Sequence, residues 1–157
     1  MDAELASFLQ SGVSIVMATR DERLVPAITR VLGLRVDGPC HLLLNLNERA
    51  AGGTVENLET TGEFAISVAS SLGYRSVQLK GHCLSLESVD DEAIACAERW
   101  RELFAEVSAR FGITPVQIRN LWLKPDRVAR VHIESAFGQT PGPGAGAPLE
   151  ECTVVAK

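Results

Sequence analysis

At 157 residues, with 46% hydrophobic and 22% charged side chains, the chain has the size and composition expected of one soluble globular domain. Its formal net charge of −5 and the lack of any basic run longer than two residues exclude the phosphate-neutralising stripe of a nucleic-acid binder. No apolar stretch approaches the about 20 residues that cross a bilayer, and the start Met1-Asp2-Ala3-Glu4 is acidic rather than signal-like, so a cytoplasmic protein without membrane contact is expected.

The elements follow in chain order. Residues 2–11 read as a short amphipathic helix with Leu5, Phe8 and Leu9 on one side, ended by Gly12. Residues 13–19 form a strand rich in β-branched side chains. After the polar turn Arg20-Asp21-Glu22-Arg23, a second strand is expected over about 24–36, and a third over 41–46. Between Asn47 and Gly62 the period becomes helical, with a helix over 54–61 that Gly62 terminates. The fourth strand, 64–69, carries Phe64, Ile66 and Val68 on one face and the small Ala65, Ser67 and Ala69 on the other, a row suited either to tight packing or to the close approach of a ligand or a second subunit.

The fifth strand, about 74–86, places Ser76, Gln78, Lys80 and His82 on one face and Val77 and Leu79 on the other. Its apolar phase flips between Leu79 and Leu84, which predicts a β-bulge near Gly81-His82-Cys83. Asp90 caps a long helix whose stripe runs Ala93, Ala97, Trp100, Phe104, Val107 and Phe111, expected to pack on the sheet up to Gly112. Thr114-Pro115 opens a short helix. The last strand, 126–137, alternates Ala129, Val131 and Ile133 with Arg130, His132 and Glu134. A Pro/Gly-rich tail follows over 139–157, and its stretch 139–148 is expected to form neither helix nor ladder. The result is a mainly β protein with α elements, an antiparallel six-stranded barrel with flanking helices over residues 1–138.

No nucleophile elbow, zinc-binding His-Glu-x-x-His or Walker loop is present. His41, His82 and His132 are isolated in sequence and read as structural, with no metal site. Cys40, Cys83, Cys96 and Cys152 lie far apart and read as small apolar fillers. The polar face of the fifth strand suits an anionic ligand with ring nitrogens, such as a flavin mononucleotide, or else water. Ala51-Gly52-Gly53-Thr54 before a helix is either a phosphate site backed by Arg49 or an ordinary capped loop. A chain without self-sufficient catalytic groups fits one that borrows a cofactor.

Three stretches then carry a resemblance: Pro26-Ala27-Ile28-Thr29-Arg30-Val31-Leu32-Gly33, Leu44-Asn45-Leu46-Asn47-Glu48-Arg49 running into Thr54-Val55-Glu56-Asn57-Leu58, and Tyr74-Arg75-Ser76-Val77-Gln78-Leu79-Lys80-Gly81. In this order the chain resembles the pyridoxamine 5′-phosphate oxidase-like FMN-binding split-barrel family from about residue 5 to 138. The resemblance implies a split barrel, a homodimer with flavin at the subunit interface, and an oxidoreductase or flavin reductase acting with a small-molecule substrate and an electron donor. It implies FMN contacts at Arg30, Val31, Asn45, Arg49, Thr54, Arg75, Ser76, Gln78 and Lys80. Arg30 and Arg49 are its phosphate candidates, Thr54 a hydroxyl donor, Ser76 and Gln78 contacts to the flavin or its ribityl chain, and Lys80 a partner for the phosphate or a substrate anion. Where the oxidases carry Ser-Arg-Lys, this chain reads Glu48-Arg49-Ala50, and their C-terminal Arg-x-His region has no clear counterpart, so vitamin B6 is not the expected substrate. A second reading keeps the barrel without catalysis, as a binding protein for haem, a deazaflavin or another small ligand. Haem would take an axial ligand from a histidine or a cysteine.

Overall fold

A computed structural model describes Met1 and residues 3–149. The chain runs α1 (Ala3–Leu9), β1 (Ser14–Arg20), β2 (Pro26–Arg30), β3 (Gly33–Val36), β4 (His41–Leu46), α2 (Glu48–Ala51), α3 (Gly53–Thr60), β5 (Glu63–Ala69), β6 (Ser76–Ser88), α4 (Asp91–Ala109), α5 (Pro115–Leu121) and β7 (Arg127–Gly138). All pairings are antiparallel, and the strand order is β2-β1-β5-β6-β7-β4-β3.

The second expected strand is in fact two, which raises the strand count from six to seven. Asp21 accepts from the amides of Arg23 and Val25, both at 2.8 Å, so the turn holds the chain until Pro26. The break between β2 and β3 lies in the hydrogen-bond partners. The Val31 amide donates to Ile15 on β1 at 3.1 Å, and the next amide, Leu32, donates to Asn45 on β4 at 2.8 Å. Two consecutive residues thus step from one end of the strand order to the other and curl the sheet into a barrel. Gly33 follows at once; a Cβ there would meet Cys96 Sγ at 3.2 Å and Ala97 Cα at 3.3 Å, so the glycine lets α4 seat on the crossing.

Alternation along the strands fills the barrel. Ile15, Met17, Ile66, Val68, Leu79, Leu42, Leu44, Val131 and Ile133 are buried, with Leu5 and Leu9 of α1, Val55 and Leu58 of α3 and Trp100 of α4 packed in the same core. The expected bulge is present, with register shifts at Lys80/Gly81 and Cys83/Ser85 against β7. The long helix is only partly the core stripe that its spacing suggested. Ala93, Ala97 and Trp100 are buried, but Phe104 and Val107 are half-buried, and Phe111 is exposed beyond the last helical turn.

Asp90 accepts from the Ala93 amide at 2.6 Å and caps α4. Asp90→Ala is expected to cost about 1 kcal/mol, measured as a lowered urea midpoint at unchanged slope. Thr114 and Gln117 form a reciprocal capping box on α5.

The tail differs from the expectation that it forms no ladder. Gly138 N–H donates to Ala147 O at 2.9 Å, Leu149 N–H donates to Ala136 O at 2.8 Å, and Pro148 bridges Phe137. Glycines with positive φ at 142 and 146 turn the chain back onto the end of β7. Cys152 and the rest of the tail lie outside the described residues. Among the described residues no helix is long and apolar enough to cross a membrane.

Candidate functional site

The barrel interior is filled, so a ligand must use the outer face of the sheet or the clefts at its rim. Residues directly opposite on antiparallel strands share a face, and the register therefore lays out that surface. One row reads Arg30, Val16, Ser67, Gln78 and Phe137 across β2, β1, β5, β6 and β7. The next reads Ile28, Ala18, Ala65, Lys80 and Ser135. A shorter row beside them holds Ser14, Ala69 and Ser76. From Arg30 to Gln78 is three strand spacings, about 14 Å. The floor between is small: Ala18, Ala65, Ala69 and Ser67 leave the backbone close to the surface, while Val16 and Ile28 are 40% and 67% exposed.

At the β2 end this face runs into a cleft of about 500 Å³ lined by Val16, Ile28, Thr29, Arg30, Leu32, Asn47, Ala50 and Leu121–Leu123. That is the scale of a small-molecule site. Among the described residues, Arg30 is its one ionic lining residue. The guanidinium stands 5.3 Å from the Phe104 ring centre and 5.7 Å from that of Trp122, and no carboxylate pairs with it among the described residues. Phe104 and Trp122 contact each other at 5.5 Å between centroids, so the two rings hold the cation in place while leaving its charge uncompensated. Asn47 shapes the wall: its side-chain oxygen accepts from the Ala50 amide at 3.0 Å, and its side-chain nitrogen donates to Lys124 O at 2.8 Å. A cleft of similar size between the β1–β2 turn and α3 has the opposite character. Asp21, Glu22 and Glu56 line it against a single Arg23, and it repels an anion.

The nine residues singled out from sequence separate clearly. Arg30, Ser76, Gln78 and Lys80 lie on the one outer face. Lys80 is exposed, its ammonium 5.3 Å from the Phe137 ring, with no carboxylate partner among the described residues. Arg49 is exposed on α2, one residue from Ala50 of the cleft wall. The other four are not brought to that face. Val31 is buried in the core at the strand crossing. Asn45 is 1% exposed, and its side-chain N–H donates to Ala93 O at 2.8 Å, which ties β4 to α4. Thr54 is fully buried, its hydroxyl without a hydrogen-bond partner among the described residues. Arg75 pairs with Glu4 at 2.9 Å and lies 4.6 Å from the Phe8 ring, on α1.

Sequence reasoning missed Trp122 and placed Phe104 in the core. Phe104 belongs to the helical stripe, but it is half-buried and meets Trp122, just past α5, beside Arg30. Burial pushes the Cys83 and Cys96 thiols above their ordinary range, which keeps both protonated and poorly nucleophilic near neutral pH, in line with a filler role.

No protein-family model matches the chain, and a sequence search of curated proteins returns no match. Solved structures do match. HupZ of Group A Streptococcus shares 18% identity over 93% of this chain and 100% of its own, with a TM-score of 0.59. A candidate pyridoxamine 5′-phosphate oxidase of Lactobacillus delbrueckii shares 17% over 87% and 93%, with a TM-score of 0.56. An FMN-binding protein of Syntrophomonas wolfei shares 16% over 88% of each chain, with a TM-score of 0.56. At these identities the likeness is one of fold: the chain has the split-barrel architecture of these structures.

Proposed function

We propose that this split barrel binds FMN on the outer face of its sheet and serves as a flavin-dependent oxidoreductase whose substrate is not vitamin B6. The observation that carries the reading is Arg30, a cation clamped by two aromatic rings, unpaired among the described residues, at one end of a face whose other end presents Gln78 and Lys80. The donor set fits the cofactor. Arg30, with Arg49 nearby, supplies positive charge for a phosphate. Val16, Ile28, Leu121 and Trp122 supply apolar surface for a ring system. Ser67, Ser76 and Gln78 supply hydroxyl and amide groups for its polar edge, and Lys80 a second cation.

Bound flavin supplies hydride or electron transfer. The chain's own share is positional and electrostatic. The Gln78 amide and the Lys80 ammonium favour negative charge that develops beside them, held by a rigid strand rather than a loop. The small side chains at 18, 65, 67 and 69 let a flat ligand, or a second copy of this chain, approach the backbone closely, and a homodimer covering this face belongs to the same proposal.

The test is a fluorescence titration of FMN with the full chain. Arg30→Ala is expected to weaken binding by about 1.5–3 kcal/mol, roughly 10- to 150-fold, the scale of a hydrogen bond to a charged group. Its circular dichroism should be unchanged, because the guanidinium is exposed. Equal affinity in wild type and variant removes Arg30 from the site and with it the proposed mode of binding.

A further inference from the structure

The three histidines, scattered in sequence, fall in one row on the outer face. His41 lies opposite His132 across β4 and β7, and His132 lies opposite His82 across β7 and β6. The pairing of His41 with His132 is of the non-hydrogen-bonded kind: the flanking bond runs from Ile133 N–H to Cys40 O at 2.7 Å. In such pairs the side chains stand closest, with Cα atoms about 4.5 Å apart. The two rings are 5.0 Å apart between centroids, tilted by 47°, and both residues are partly open to solvent. Two imidazoles bound to one tetrahedral ion at about 2.1 Å place their ring centres about 5 Å apart. The pair is thus already spaced as two ligands of a single ion, on strands whose register the sheet fixes.

We infer that His41 and His132 form a two-histidine binding site for a divalent transition-metal ion, independent of the flavin reading. Among the described residues no three ligating side chains converge on a point, so water fills the remaining positions. Glu134 lies two residues beyond His132 on the same face and adds negative charge beside the site. His82 is committed elsewhere: its Nδ1 lies 2.8 Å from Glu134 Oε1 and donates to that carboxylate. Imidazole nitrogen selects copper, nickel and zinc over magnesium and calcium, which require oxygen ligands.

The experiment is a calorimetric titration of the untagged full chain with Ni²⁺, Cu²⁺ or Mg²⁺, alongside thermal unfolding in each ion. One Ni²⁺ per chain, tighter Cu²⁺ binding, no Mg²⁺ binding and a raised Tm in Ni²⁺ are expected, since an ion that ligates both strands ties β4 to β7. His41→Ala and His132→Gln should each weaken Ni²⁺ at least tenfold and abolish the rise in Tm, while their metal-free unfolding stays near that of wild type. His82→Ala should keep Ni²⁺ affinity within about threefold. Failure of the wild-type chain to bind Ni²⁺ at millimolar concentration, or binding that survives His132→Gln, overturns the site.

Discussion

Gly81→Ala is expected to cost at least about 3 kcal/mol, at the upper end of overpacking effects, and to be read as a lowered urea midpoint. At the bulge, β6 and β7 approach so closely that a Cβ on residue 81 would lie inside the van der Waals shell of the His132 carbonyl oxygen and 3.1 Å from Ile133 Cα. The obstacle is backbone on a central strand, which no rotamer change relieves. The methyl must push β6 and β7 apart between the register shifts at Lys80/Gly81 and Cys83/Ser85. The same movement would re-aim Lys80 and His82, so residual folded protein should also lose affinity for ligands on that face. A variant within about 1 kcal/mol of wild type, below the usual overpacking range, would contradict the close approach.

Trp100→Ala is expected to cost about 3–5 kcal/mol, the range for emptying a large aromatic site in a core. Trp100 is 3% exposed and packs with the barrel interior from α4. Its indole N–H donates to Val13 O at 3.1 Å in a buried setting, so the change leaves both a cavity and an unpaired carbonyl. Trp100→Phe separates the two contributions. It keeps most of the ring volume and loses the hydrogen bond, and should cost about 1–2 kcal/mol. Equal losses in the two variants would mean that ring packing contributes little.

Residues whose role follows from a strand's own alternation were legible in the sequence. The polar row Ser76, Gln78 and Lys80, the small row Ala65, Ser67 and Ala69, and the Arg130, His132 and Glu134 face each lie on the side that a two-residue period assigns them. The bulge was legible because a phase flip has no other simple cause within one strand. The crossing at Val31–Leu32 was not, because Val-Leu-Gly-Leu is an unbroken apolar run and the change occurs in the partner strand rather than in the pattern. Val31, Asn45 and Thr54 were given as ligand contacts by the resemblance alone, which carries no information on burial, and all three are packed beneath the surface. The meeting of Arg30 with Phe104 and Trp122 joins residues far apart in the chain through the packing of helices, which local spacing does not encode. The three-histidine row likewise exists only through register.

The measurement that tests the central claim most directly is the visible absorbance spectrum of the purified chain after loading with FMN and passage over a desalting column. The account predicts that the two visible bands of oxidised flavin remain with the protein and are lost, or sharply reduced, in Arg30→Ala. A wild-type chain that emerges colourless and folded would contradict it, and would remove Arg30 as the anchor of an FMN phosphate.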